Sequence, residues 1–361
     1  MSSEAAIGIL SAGQIRASLA AGAIRIERPL DADQVQPASL DLRLGAVAYR
    51  VRASFLPGPN VLVKDRLAEL TLHEIDLTNG SVLETGCVYI VPLLESLALP
   101  ADVQASANPK SSTGRLDIFT RVITDRAQSF DTIPAGYSGP LYLEVSPRTF
   151  PIVARTGSRL SQIRFRRGDT RLDDAALAAL NAREPLVDGA FHASAGLLLS
   201  IDLEGSDGII GYRAKRHTGV IDVDKRAACD VLDYWEPIPV RGKAELILDP
   251  DQFYILVSRE AVHVPPDYAA EMVAFDPLVG EFRVHYAGFF DPGFGHQAAG
   301  GAGSRAVLEV RSHEVPFILE HGQTVGRLVY EKMSERPEVL YGSGLGSNYQ
   351  AQGLKLSKHF R

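Results

Sequence analysis

The sequence predicts a mainly β protein, built as two tandem barrel- or jelly-roll-like domains with only short helices. Three observations predict it. Glycine (32) and proline (21) together make up about one residue in seven of the 361, which suits a chain with many turns. Short β-branched or aromatic runs recur between clusters of Gly, Pro, Asp and Ser: residues 88–91 (Val-Tyr-Ile-Val), 141–145 (Leu-Tyr-Leu-Glu-Val), 253–257 (Phe-Tyr-Ile-Leu-Val) and 307–310 (Val-Leu-Glu-Val). The third observation is an internal repeat. Ser39-Leu-Asp-Leu-Arg-Leu-Gly45, followed by Tyr49-Arg50, returns as Ser200-Ile-Asp-Leu-Glu-Gly205, followed by Tyr212-Arg213. Tyr89 and Tyr254, Asp102 and Asp267, Glu144 and Glu309, and Gly157 and Gly322 then all stand 165 residues apart. Several matches at one offset, in order, mark a duplicated unit.

The elements follow along the chain. Residues 11–22 read as a helix: Ser11 is an N-cap, Ile15 and Leu19 fall four apart, and Gly22 ends it. The first unit spans residues 1–170. Residues 171–189 read as a linker; Arg171-Leu-Asp-Asp-Ala-Ala-Leu-Ala-Ala-Leu-Asn181 is rich in helix formers. The second unit spans residues 190–361.

Composition excludes several function classes. A net charge of −7 argues against a broad nucleic-acid face, although a local cationic cluster can still take a small anion. No apolar run approaches the ~18 residues of a membrane helix. The start, Met-Ser-Ser-Glu-Ala-Ala-Ile-Gly-Ile-Leu10, lacks the charged and apolar regions of a secretory signal. The two cysteines, Cys87 and Cys229, make neither a disulfide framework nor a four-cysteine zinc site, and a reducing cytoplasm is the expected location. Phosphate-loop, Rossmann, zinc-deaminase and nucleophile-elbow signatures are missing, and His285, His296, His313 and His321 lack metal-ligand spacing.

What chemistry remains is divided between the copies. In the first, Asn108-Pro-Lys-Ser-Ser-Thr-Gly-Arg115 offers a Pro-broken turn, hydroxyls that can cap a helical turn (Ser111 or Ser112), and the cations Lys110 and Arg115, a set that can cradle phosphates. At offset 165 the second copy reads Phe275-Asp-Pro-Leu-Val-Gly280 and has lost all four groups. The second copy instead carries Ala287-Gly-Phe-Phe-Asp-Pro-Gly-Phe-Gly295, a hairpin with Asp291 placed to face a nucleoside and Phe289 or Phe294 to pack on it. In the first copy the acid two residues before the glycine is replaced by Pro134. Each copy has a Leu-Glu-Val strand, and a desolvated Glu144 or Glu309 can carry protons near neutral pH. Tyr341 and the Gly- and Ser-rich run to Gly353, with Gln352, read as a flap that closes on a ligand and that only the second copy possesses.

Together these segments resemble the dCTP deaminase branch of the dUTPase-like superfamily. Gln36-Pro-Ala-Ser-Leu-Asp-Leu-Arg-Leu-Gly45 is similar to its early strand motif and Lys110-Ser-Ser-Thr-Gly-Arg115 to its phosphate motif. The segment 287–295 is similar to its nucleoside hairpin, Glu309 and Glu144 to its catalytic glutamate, and Tyr341 with 347–353 to its closing tail. The resemblance implies a distorted dUTPase-like β barrel in each unit and a homo-oligomer, a trimer or a pseudo-trimeric arrangement of domains. It implies zinc-free hydrolysis of dCTP to dUTP and ammonia, with magnesium carried by the substrate's triphosphate and dTTP as a possible inhibitor. Glu309 or Glu144 then moves protons, Ser111 holds the attacking water, and Lys110, Ser112, Arg115, Asp291, Phe294, Tyr341 and Gln352 bind substrate. No nucleic-acid or membrane partner is expected. The division of motifs favours one composite site, with Ser111, Ser112 and Arg115 facing Asp291, Glu309, Tyr341 and Gln352. A site using Glu144 with Ser111 and Arg115 across an oligomer is the alternative. Hydrolysis of dUTP, direct formation of dUMP and diphosphate, and nucleotide sensing without turnover are the rival functions.

Overall fold

The repeat is visible first in the strands. Four strands of the first half, Val88–Ala98, Val103–Pro109, Ser138–Pro147 and Arg159–Arg167, return as Phe253–Val262, Tyr268–Ala274, Ser304–Ser312 and Thr324–Lys332. The second and fourth return at an offset of 165 at both ends. A computed structural model describes residues 6–274, 282–285, 288–312, 314–342 and 353–361.

In the first half, one sheet runs Gly8–Ile9, Arg159–Arg167, Val103–Pro109, Thr132–Ile133, with Leu40–Arg43 also on Arg159–Arg167. A second runs Thr71–Asp76, Val47–Val51, Val88–Ala98, Ser138–Pro147, Ile118–Thr124. The second half repeats the pair. One sheet runs Leu197–Ser200, Thr324–Lys332, Tyr268–Ala274, Phe289–Phe290; the other runs Trp235–Pro239, Ile209–Ala214, Phe253–Val262, Ser304–Ser312, Phe282–His285. All of these pairings are antiparallel, and each pair of sheets closes over a core of inward-facing apolar side chains.

Helices are few and short. Ser11 caps Ala12–Ala20 through a reciprocal box: its hydroxyl accepts from the Gln14 amide at 3.2 Å, and its own amide donates to Gln14 Oε1 at 3.0 Å. Asp173 caps the helix Asp174–Arg183, between the two halves. A further helix, Val63–Leu70, was not expected from sequence. It begins at Leu62, which has no side-chain cap, so the usual start signal is missing; what holds it is burial of Val63, Leu67 and Leu70.

The halves share structure. Ile152–Ala154 pairs in parallel with Ile221–Asp222. Phe150 of the first half meets the fully buried Trp235 of the second edge-on, at 5.4 Å between ring centroids. Buried charge also crosses. Asp117 is fully buried in the first half, and both its oxygens accept from Arg311 Nε at 3.2 Å. Asp117→Asn keeps the left-handed backbone (φ 56) that Asn tolerates but removes the charge opposite Arg311. We expect it to cost about 3 kcal/mol, read as an earlier midpoint in urea denaturation; an unchanged midpoint would show that this pair does not hold the halves together.

Candidate active site

The phosphate-motif segment is shaped by its backbone. The strand Val103–Pro109 stops at Pro109, and a single turn, Ser111–Gly114, follows. The cap position belongs to Lys110, whose carbonyl accepts from the amides of Thr113 at 2.8 Å and Gly114 at 3.0 Å. This corrects the expectation that Ser111 or Ser112 caps the turn. Both lie inside it, because the chain leaves the extended conformation one residue earlier. Arg115 closes the turn and is 3% exposed.

The hairpin of the second half lies opposite. Phe289–Phe290 pairs with Glu271 and Ala270. The chain then turns through Asp291-Pro292-Gly293, where Gly293 has φ +96 and a side chain would strike Leu340. Tyr341 packs there too: its amide donates to the Pro292 carbonyl at 2.8 Å, and its ring stands 5.6 Å from Phe294.

One cavity of about 250 Å³ lies between these segments and draws its walls from both halves. Lys110, Ser111, Ser112 and Arg115 line it from the first half, and Asp291, Phe294, Glu309 and Tyr341 from the second. Gln352 and residues 343–351 lie outside the described residues, as do the expected counterpart of the phosphate motif at 275–280 and Ala287.

Glu309 is the chemically distinctive group. It lies on Ser304–Ser312 opposite Ile255 and His285 in the strand register. It is 5% exposed, and burial pushes its carboxyl up to about 8, opposed by the charge of Arg115. Arg115 Nε stands 3.9 Å from Glu309 Oε1, and Arg115 Nη1 donates to the Lys355 carbonyl at 2.9 Å. Asp291 is also raised by burial, against the opposing charge of Arg164, whose Nη2 is 3.0 Å from Asp291 Oδ1.

The lining also carries further charges of both signs, Asp33, Asp41 and Asp224 among them. Besides Lys110 the cavity is lined by Arg159, Arg226 and Lys358. Arg159 donates to Asp33 at 2.9 Å and to Asp41 at 3.4 Å, and Lys110 also contacts Asp41. Burial, with the charges of Lys110, Arg226 and Arg159, pushes the Lys358 ammonium down to about 8. The chain end is tied to the phosphate-motif turn by Ser357 Oγ, which donates to the Ser112 carbonyl at 2.8 Å. Sequence reading missed Asp33, Asp41, Arg159, Arg226 and Lys358 as site residues. Asp41 falls within the early strand motif, which is the one signal available. The others are isolated charges that only folding gathers.

Glu144 is not in this cavity. It is 1% exposed and tied to Arg121, whose Nη2 and Nε donate to Oε1 at 2.7 and 3.0 Å, and to Ser54 Oγ at 2.5 Å. Arg121 is directly opposite in the strand register and stacks 3.4 Å from the Phe130 ring centroid. Within one chain, therefore, Glu144 does not meet Ser111 or Arg115. Among the described residues no three His, Cys, Asp or Glu side chains group as metal ligands, and no helix is long and apolar enough to cross a membrane.

Comparison with known proteins assigns the family. Residues 6–169 match the N-terminal domain model, and residues 173–360 the C-terminal domain model, of 2'-deoxycytidine 5'-triphosphate deaminase (DCD). The chain belongs to the DCD family. A crystal structure of 2'-deoxycytidine 5'-triphosphate deaminase from Agrobacterium tumefaciens is 70% identical, with a TM-score of 0.88, covering 92% of this chain and all of that one. Over 160 residues the chain is 36% identical to a "dCTP deaminase, dUMP-forming" of Parafrankia sp. (43% of this chain, 74% of that protein). Over 163 residues it is 31% identical to a dCTP deaminase of Shewanella amazonensis (43% and 80%). In each the matched length is about that of one half.

The elevated Glu309 carboxyl makes a stability prediction. Its value is raised from 4.5 to about 8 in the folded protein, so ionisation favours the unfolded chain. The stability it withholds is nil below about pH 4.5, grows as pH rises to about 8, and is constant above. Thermal melts should therefore show Glu309→Gln close to the parent near pH 4 and increasingly more stable up to pH 8. A pH-independent difference would mean that the carboxyl is not raised.

Proposed function

We propose that the protein deaminates dCTP hydrolytically to dUTP and ammonia, in a composite site that takes its phosphate contacts from the first half and its proton carrier from the second. The single observation that carries this reading is Glu309: a buried carboxyl, raised to about 8, beside Arg115 and in the same cavity as Lys110, Ser111 and Asp291. Family membership and the similarity to named dCTP deaminases support the substrate.

The chemistry follows from a carboxyl that exchanges its proton near neutral pH. Protonated Glu309 gives its proton to N3 of cytosine, which makes C4 electrophilic. The carboxylate so formed takes a proton from a water held by Ser111, and the hydroxide adds to C4. Glu309 then passes that proton to the exocyclic amine and recovers one from the C4 hydroxyl as the carbonyl forms and ammonia leaves. The C4–N bond breaks, the C4–O bond forms, and the carboxyl ends as it began. Arg115 moderates the charge on Glu309 while it is ionised. Lys110, Ser112, Arg159 and Lys358 offer donors to the triphosphate, which brings magnesium as part of the substrate. Asp291 and Phe294 face the nucleoside, and Tyr341 with Gln352 closes over it. dTTP, with the same triphosphate and no amine, competes for the site. The protein acts in the cytoplasm, as a homo-oligomer of trimeric or pseudo-trimeric arrangement, with neither nucleic acid nor membrane as partner.

A second reading, formation of dUMP, is favoured by one specific observation: several relatives at 31–36% identity are named dUMP-forming. Against it stands the engagement of Asp291 with Arg164, which ties up the carboxylate that would activate water at the phosphate.

Incubation with dCTP and magnesium, followed by nucleotide chromatography and an ammonia assay, separates the readings. dUTP with equimolar ammonia is expected. dUMP with diphosphate would replace it with the bifunctional reading, hydrolysis of dUTP alone with a dUTPase, and binding without product with a sensor. In the same assay Glu309→Gln should lose about 10³-fold or more in turnover, whereas Glu144→Gln should mainly lower stability. The reverse pattern would transfer catalysis to Glu144.

A further inference from the structure

We propose that Arg164 is the positioning residue of the nucleoside hairpin, a clamp from the first half that fixes Phe289, Phe290 and Asp291 against the cavity while the phosphate end is set independently. The inference rests on the deaminase reading for its kinetic test and on geometry alone for its structural one.

Arg164 lies on Arg159–Arg167, is fully buried, and does not line the cavity. Among the described residues, its side-chain hydrogen bonds all run to the second half. Nη1 donates to the Ala270 carbonyl at 3.0 Å, and Nη2 to the Phe290 carbonyl at 3.4 Å and Asp291 Oδ1 at 3.0 Å. Glu331 Oε2 stands 3.8 Å from Nη1. The guanidinium carbon lies 4.1 Å from the centroid of the Phe289 ring. One planar group thus holds three consecutive hairpin residues by a ring face, a carbonyl and a carboxylate.

The duplicated fold supplies an internal control. The residue 165 positions on is Val329, which pairs with Glu271 as Arg164 pairs with Ser106. Thr132 and Ile133 pair with Ser106 and Ala105 as Phe289 and Phe290 pair with Glu271 and Ala270, and Pro134 then stands where Asp291 does. The same strand therefore folds with an apolar residue, and the opposite hairpin turns without an acid. A buried guanidinium is costly unless it is paired. The cation and its carboxylate are present together only on the side of the molecule that carries Glu309 and the phosphate motif, so the pair serves the site and is not a requirement of the fold.

The test compares Arg164→Met and Arg164→Lys with the parent. Ammonia release from magnesium–dCTP should fall by about 100-fold in kcat/KM for Arg164→Met, with an intermediate loss for Arg164→Lys, which keeps the charge but not the fork. Calorimetric binding of tripolyphosphate, which needs only the phosphate end, should be unchanged. In hydrogen exchange, the amides of Phe294 and Met272, bonded to the Asp291 and Gly288 carbonyls, should exchange faster in Arg164→Met, and the Thr113 amide should not. Parental kcat/KM in a folded Arg164→Met would overturn the proposal, as would parallel loss of tripolyphosphate binding. If the parent releases no ammonia, the deaminase reading fails, and hydrogen exchange alone decides the clamp: unchanged hairpin protection would overturn it.

Discussion

Arg115 of the first half and Glu309 of the second, both almost fully buried, stand 3.9 Å apart at one cavity, and that juxtaposition constrains the rest of the site. Keeping water from a carboxyl raises it towards neutral pH, and burial is the largest cause that raises Glu309. A guanidinium must be near enough to moderate its charge, yet a bidentate ion pair would pull the carboxyl back down. Glu144 is bonded differently. Arg121 donates to it twice, within 3.0 Å, and Ser54 adds a third hydrogen bond. The two glutamates occupy equivalent strand positions, and their arginine partners differ in distance and direction. Glu309 lines the cavity beside Arg115, whereas Glu144 is bonded to Arg121 and Ser54 away from it.

Buried polar links cross between the halves beside a shared aromatic core. Arg164 with Asp291, Arg311 with Asp117, and Arg166 with Glu331 at 3.3 Å all cross from one half to the other. Arg166 and Glu331 are equivalent residues of the two copies, 165 apart, so the copies meet near a pseudo-two-fold relation. Duplication released each copy from carrying the whole site. The first kept Lys110, Ser111 and Arg115, and the second carries Asp291, Glu309 and Tyr341.

The strands were legible because short β-branched or aromatic runs bounded by turn formers report burial directly, and the repeat doubled each reading. The helix Val63–Leu70 was not, because Leu62 at its start offers no side-chain acceptor, the Asp125 carboxylate that accepts from the Val63 amide at 2.8 Å is distant in sequence, and the rest of its order comes from packing. The placement of Ser111 and Ser112 as caps failed by one or two positions, since the choice of the residue that leaves the extended region is made by the backbone after Pro109. The motif residues of the cavity were legible as sets of like chemistry: hydroxyls with cations, an acid with aromatics. Arg159, Arg226 and Lys358 were not, since each is an ordinary surface-type charge in its own segment and becomes a cluster only when three distant stretches converge.

The sequence by itself determined the β class, the duplication and the division of motifs between the copies, because spacing and residue type are properties of the chain. The tertiary structure alone decided which glutamate shares a cavity with Arg115, and which arginine, 121 or 164, neutralises which carboxylate. Proton affinity and ion pairing depend on distance and exclusion of water, and sequence neighbours fix neither: Arg115 and Glu309 lie 194 residues apart, and Arg164 and Asp291 lie 127 apart.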